Sequence, residues 1–378
     1  MSIRICGNIV QPDGVLEGGA LVVGDSGLIE EIDAVSGSFQ SPTIVPGFID
    51  IHVHGGGGAD FMDGTVESVR TVARTHARFG TTTMLATTLT ATGEQISRCI
   101  AAVRAVMNDP GPDEARIAGI HLEGPFLCPA KRGAQPLAPI RKPNWDEMAG
   151  WIDESGGAIR VITLAPELDG AIDFIKKAAS AGVIVSIGHT EATFEQTVAA
   201  IEAGASHATH LFNAMPPLNH RAPGAAGALI ASETAFAETI ADGVHLHPGA
   251  VKIAVSAMGP GRIVLITDAM SGAAMPDGDY ELGGQRVRVS GPTARFDDGT
   301  LAGSILTMNR AFENILRFAA VSPMDAANMT ASNAADRLGL AKQTGRIAVG
   351  LGADLTLLDP DSGRVEATMR DGKWLWRA

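Results

Sequence analysis

From residue 46 to about residue 315, short apolar runs alternate with segments of helical spacing. No other feature limits the fold as tightly. The runs are FIDIHVH, TTTMLATTL, IAGIHLE, RVITLAP, GVIVSIG, SHATHLF, AETIADG and IVLITDA, eight in all. Several are almost continuously hydrophobic, as parallel strands covered on both faces must be. Between them, AIDFIKKAASAG sets Ile172, Ile175 and Ala179 on one stripe, with Gly182 as its stop. ESVRTVARTHARFG does the same with Val69, Val72 and Ala73 before Gly80. Eight β/α units predict an α/β fold, a (β/α)8 TIM-like barrel, with an open doubly wound sheet as the alternative. Residues suited to catalysis stand at many different run ends, which favours the barrel.

The flanks read differently. Residues 1–45 and 346–378 carry short strand patterns broken by Gly and Asp turns. Neither is long enough for a core of its own. The expectation is a small β-sandwich domain formed by both termini, around a barrel spanning 46–345. Residues 275–300 read as a β insertion outside the barrel wall.

Composition narrows the partners. The 378-residue chain has a formal net charge of −13, which argues against a nucleic-acid partner held by Lys and Arg. It does not argue against a small phosphorylated ligand. The N-terminus lacks a basic segment followed by an apolar core, and no long apolar stretch predicts a membrane span. Cys6, Cys99 and Cys128 show neither ligand spacing nor a disulfide pattern. That suits a reducing cytoplasm.

The histidines give the chemistry. In GFIDIHVHGGGG, His52 and His54 are two apart, so a strand points both the same way. Two imidazoles on one face are ready ligands for a borderline-soft metal. His121 and Glu123 share a face in HLEGP. A buried, unpaired carboxylate is costly, and a metal makes its burial tolerable. His189 follows the fifth run, His210 the sixth, Asp242, His245 and His247 the seventh, and Asp268 the eighth. His207 falls on the opposite face from His210, and His76 lies in a helical segment, so both read as structural or surface residues. His121 reads as support for the ligands. Carboxylates and imidazoles thus recur at the C-terminal ends of strands 1, 3, 5, 6, 7 and 8, the face where barrels place chemistry.

A divalent cation held by a glutamate and two histidines keeps an open position where water is activated near neutral pH. Hydrolysis of a polarised carbonyl or phosphoryl centre follows as the reaction class. Asp268 can accept the water's proton and return it to the leaving group, and His245 can donate to the carbonyl oxygen. A helix N-cap is the alternative role for Asp268. The long loop FNAMPPLNHRAPG contains Asn213, His220 and Arg221. An Arg fork there suits an anion, while an ordinary surface arginine is the alternative.

The segments PGFIDIHVHG, HLEGPFL, SIGHT, HATHLFNAM, ADGVHLHP, LITDAM and LAGS resemble the amidohydrolase superfamily and, within it, its N-acetylglucosamine-6-phosphate deacetylases. The C-terminal TASNAADRLGL and GRIAVGLGADLTLLD are similar as well. The resemblance implies that Glu123, His189 and His210 hold the principal metal, zinc or iron. Asp268 would be general base and then acid, and His245 would contact the sugar. Asn213 and the Ala214 backbone would touch substrate near its phosphate. Arg221, with His220, would reach the phosphate of the neighbouring subunit, making a homodimer part of the site. Members lacking the first-strand pair hold one metal. Keeping His52 and His54 implies one or two per chain, with Glu123 as the bridge. Many two-metal relatives carry a carboxylated Lys on the fourth strand, but VITLAPE has none. The rival readings are an N-acetylgalactosamine-6-phosphate deacetylase, a cyclic amidase and a non-catalytic barrel scaffold.

Overall fold

The eight apolar runs form eight parallel strands hydrogen-bonded in chain order. They are β1 (Phe48–Val53), β2 (Thr81–Thr88), β3 (Arg116–Glu123), β4 (Ile159–Leu164), β5 (Ile184–Ile187), β6 (Ala205–Ala208), β7 (Phe236–Ile240) and β8 (Ile263–Ile266). This computed structural model describes residues 2–35 and 42–378, so residues 1 and 36–41 of the expected N-terminal flank lie outside the described residues. Every residue of β1, β2 and β8 is buried, as a sheet covered on both faces requires. The barrel closes between the end of β1 and the residues just past β8. The Asp268 N–H donates to the His52 carbonyl at 2.8 Å, and the His54 N–H donates to the Ala269 carbonyl at 2.9 Å.

Helices α1 (Val66–Ala77), α2 (Gly93–Asn108), α3 (Trp145–Glu154), α4 (Ala171–Ser180), α5 (Phe194–Glu202), α6 (Gly224–Ala231), α7 (Pro248–Met258) and α8 (Met308–Ala319) follow the strands one by one. Thr65 starts α1 with a capping box to Ser68. Its buried stripe contains Val69, Val72 and Ala73, as the spacing predicts, and extends to His76. In α4 the expected stripe needs correction. Ala171, Phe174, Ile175 and Ala178 are buried, while Ile172 and Ala179 are only half-buried. Phe174 sets the rotation, since it packs edge-on against Phe126 and Trp145.

The two termini meet in one seven-stranded sheet. Its order is Lys373–Arg377, Val365–Arg370, Leu355–Leu358, Thr43–Pro46, Ile3–Gln11, Gly14–Val23, Ile29–Ala34. Thr43–Pro46 joins the halves, parallel to Ile3–Gln11 and antiparallel to Leu355–Leu358. Ile5, Ile9, Leu21, Ile44, Leu355 and Met369 belong to its separate core. Arg116 at the start of β3 ties barrel to sheet, with ion pairs to Asp354 at 2.9 Å and Asp371 at 2.7 Å. The insertion is a three-stranded antiparallel sheet, Gly278–Leu282, Gln285–Ser290 and Thr293–Arg295. Leu282, Val287, Val289 and Ala294 pack on Leu89 and Met270, which places this sheet beside the C-terminal mouth of the barrel. Among the described residues, no helix is long and apolar enough to cross a membrane.

Candidate metal centre and active site

Three side chains singled out from the sequence leave their strands through an unusual backbone. His189, His210 and Asp268 each lie two residues past a strand end, with φ of 48°, 30° and 50°. Non-glycine residues rarely adopt left-handed conformations, and such strain collects at functional sites. Here the turn carries each side chain over the barrel mouth instead of along the strand. It also removes the helix N-cap alternative for Asp268, because no helix begins there. The glycines after His54 have a steric reason. A Cβ on Gly55 would meet the Ala59 carbonyl at 2.4 Å, and Gly57 has φ 65° against Thr75. Buried His76 braces this turn by donating from Nε2 to the Gly55 carbonyl at 2.9 Å.

Glu123, His189 and His210 converge. Glu123 Oε1 is 2.9 Å from His189 Nε2 and 3.1 Å from His210 Nε2, and the two Nε2 atoms are 3.1 Å apart. His189 Nδ1 donates to the Lys131 carbonyl at 2.8 Å, so its Nε2 is a lone-pair acceptor. A carboxylate oxygen and imidazole acceptors facing one another at 3 Å are a cation's ligand set, and the donors fit a divalent metal. His52 and His54 form a second convergence beside it. Their Nε2 atoms are 3.2 Å apart, and His54 Nε2 is 3.2 Å from both Glu123 Oε2 and Asp268 Oδ1. His52 Nδ1 donates to Glu238 Oε2 at 2.8 Å, which leaves Nε2 to face the centre.

Electrostatics agree with that reading. Burial opposes charge on His52 and His54, yet the surrounding carboxylates outweigh it. His52 is raised well above the usual range by Glu123 and Glu238, and His54 rises to about 9 through Asp268 and Glu123. The pocket therefore demands positive charge. By contrast, burial lowers His121 well below the usual range, and His207 falls to about 3. His121 lies with His52 and Glu238 in a metal-capable group. Both its nitrogens are already engaged, Nδ1 with the Ile51 carbonyl at 3.0 Å and Nε2 with Thr163 Oγ1 at 2.8 Å. We read that group as a hydrogen-bonded support beneath the centre. His207 stacks on Phe236, away from the centre.

The centre opens into a cavity of about 510 Å³. Its wall includes Asp268, His245, Asn213, Ala214, Lys131 and Arg295. His245 Nδ1 donates to Asp242 Oδ2 at 2.7 Å. Burial works against its charge, but the hydrogen bond and charge of Asp242 prevail and raise its pKa. Asn213 Nδ2 donates to the His210 carbonyl at 3.2 Å, which holds the loop against a candidate ligand. His220 and Arg221 are exposed in the following turn and do not line the cavity of their own chain. His247 caps α7, accepting from the Gly249 N–H.

Three contributors escaped sequence reasoning. Glu238 is fully buried on β7 and accepts from both His52 Nδ1 and the His210 N–H. Its signal was present, since a carboxylate inside an apolar strand needs partners. Gln135 donates to Glu123 Oε2 and accepts from the Thr90 N–H, but a loop glutamine has no periodic signature. Arg295 reaches the cavity from the insertion, which only tertiary packing reveals.

Known proteins are similar to this chain in sequence and fold. The amidohydrolase family model matches residues 43–375. N-acetylglucosamine-6-phosphate deacetylase of Bacillus subtilis (strain 168) is 42% identical over 331 residues, covering 86% of this chain and 84% of that one. N-acetylgalactosamine-6-phosphate deacetylase of Escherichia coli O157:H7 is 36% identical, covering 93% of each. The crystal structure of N-acetyl-D-glucosamine-6-phosphate deacetylase from Mycobacterium smegmatis superposes with a TM-score of 0.92, at 36% identity over 99% of this chain and all of that one. A variant of that enzyme was solved in complex with N-acetyl-D-glucosamine-6-phosphate. With a barrel whose C-terminal mouth gathers metal-capable histidines and carboxylates, and with nearly the whole length matched, this chain belongs to the amidohydrolase family.

Proposed function

We propose that the protein hydrolyses N-acetyl-D-glucosamine 6-phosphate to D-glucosamine 6-phosphate and acetate. The convergence of Glu123, His189 and His210 carries this reading, with Asp268 facing the same cavity. Glu123, His189 and His210 would hold the principal cation, zinc or iron, and His52 and His54 with Glu123 a second. A divalent cation there supplies Lewis acidity for water and for the acetamide carbonyl.

The chain's own residues do the rest. Burial works to raise Asp268, but the His54 contact and the nearby histidines outweigh it and hold the carboxyl below its usual range. It is therefore ionised and ready to take a proton from the attacking water. When the C–N bond breaks, the same carboxyl returns that proton to the leaving nitrogen. Asp242 favours the protonated form of His245, whose Nε2–H then donates to the carbonyl oxygen as charge builds there. Asn213 and the Ala214 backbone orient the sugar. Lys131 and Arg295 on the cavity wall support an anionic substrate. Arg221, with His220, binds the phosphate across a homodimer interface, which accounts for their exposure in a single chain.

Acetate release from a panel of N-acetylated sugars and sugar phosphates, with and without chelator, tests the proposal. Fast, chelator-sensitive turnover of N-acetyl-D-glucosamine 6-phosphate is expected. A preference for the galacto epimer would move the assignment to the activity named for the Escherichia coli relative. Turnover of cyclic amides alone, or none, would overturn it.

A further inference from the structure

Among the described residues, four buried polar atoms around the centre lack protein partners: His54 Nδ1, His210 Nδ1, Glu238 Oε1 and Asp60 Oδ2. His54 Nδ1 and Asp60 Oδ2 are adjacent along the chain fold and have complementary chemistry. Asp60 ends the small hairpin after β1, and His54 immediately precedes that hairpin. Gly55 pairs with Asp60, and the Phe61 N–H donates to the His54 carbonyl at 2.9 Å. Burial pushes the Asp60 carboxyl up to about 6, and the charge of the nearby His54 ring works against that rise.

Asp60 has a plain local duty. Its Oδ1 caps the short turn Phe61–Asp63 by accepting from the Met62 N–H at 2.8 Å. A cap needs one acceptor, and Asn or Ser would serve. Yet Asp60 is only 7% exposed, and leaving its second oxygen buried and unpaired is costly. His54 has the complementary need. A ring that offers Nε2 to a cation carries its proton on Nδ1, and that N–H requires an acceptor. The other first-strand ligand solves this with Glu238, and His189 solves it with the Lys131 carbonyl.

We propose that Asp60 is a positioning residue for His54, its Oδ2 accepting from His54 Nδ1–H through one bridging water. The gap between the two atoms exceeds direct hydrogen-bond range, since neither has a partner. A polar site with a donor and an anionic acceptor is where a buried water is stable. Asp60 also forms part of the wall of a second cavity of about 1100 Å³, lined by Asp63, Ser271 and Glu281, which gives such a water access. The inference rests on the reading that His52 and His54 face a second cation.

Cobalt(II) titration of metal-free protein, followed by its visible absorption, tests this in wild type, Asp60→Asn and Asp60→Ser. Both variants retain a cap acceptor, and Asn also retains the volume should Ser fold poorly. Wild type should take up two equivalents. In the variants one equivalent should bind unchanged and the other about 10- to 100-fold more weakly, with Ser the worse. Two equivalents at wild-type affinity in both variants would overturn the role of Asp60 while leaving the two-cation reading intact. Equal weakening of both equivalents would assign Asp60 a merely structural role and overturn it too. A single equivalent in wild type would remove the two-cation reading, and this inference with it.

Discussion

Asp268 and His245 share one cavity but carry opposite requirements. In the proposed role Asp268 must be ionised to begin, and its position beside His54 and His52 favours that form. Asp268→Asn preserves shape and removes the proton acceptor. Metal content should stay near wild type while kcat falls about 10²- to 10⁴-fold, read by acetate release and elemental analysis. In the proposed role His245 must be protonated to donate, and Asp242 favours that form. Its pKa is raised in the fold, so the pair's contribution to stability is complete below the ordinary histidine value. It is lost as pH rises through the raised value. Asp242→Asn should lower the His245 titration midpoint toward or below the ordinary value, visible in the imidazole proton resonances. An unmoved midpoint would separate the two residues.

At the scale of elements, the strand ends matter more than the strands. Sequence spacing locates β1 to β8, because apolar runs and helical stripes are local. It does not show that His189, His210 and Asp268 turn through left-handed backbone, because contacts beyond each residue's neighbours impose that strain. The α4 stripe shows the same limit. Ile172 and Phe174 are both apolar, and the aromatic contacts of Phe174 decide which one is buried. Arg116 links β3 to the terminal sheet through Asp354, which is 2% exposed. Arg116→Ala leaves that carboxylate without its cation and should cost about 3 kcal/mol in denaturant unfolding. Kinetic constants per folded, metal-loaded chain should change little, since the pair lies at the end of β3 opposite Glu123.

For the whole molecule, cation binding and folding are linked. A cation that binds only the folded barrel stabilises it by mass action. Chelation should therefore lower the Tm as well as abolish turnover, and added zinc or iron should restore both. A Tm that ignores chelator would mean that the centre is held together without a cation. Assembly supplies the second test. Arg221→Ala should raise KM for the phosphorylated substrate by at least about tenfold, as loss of a charge-assisted pair would. Turnover of the unphosphorylated sugar should be little altered. Equal effects on both substrates would detach Arg221 from phosphate binding.

What the chain determined by itself was everything written in local pattern. The β/α alternation set the architecture, and the placement of His52, His54, Glu123, His189, His210 and Asp268 at or near the ends of strands 1, 3, 5, 6 and 8 pointed to metal-assisted hydrolysis. Tertiary structure supplied the partners that make His121 a hydrogen-bonded support and His207 a packing residue, roles that spacing had already suggested. It also brought in Glu238, Gln135 and Arg295. The physical reason is range. Periodicity is a property of neighbours, whereas the cost of burying a charge depends on which distant groups the fold brings within a few ångströms.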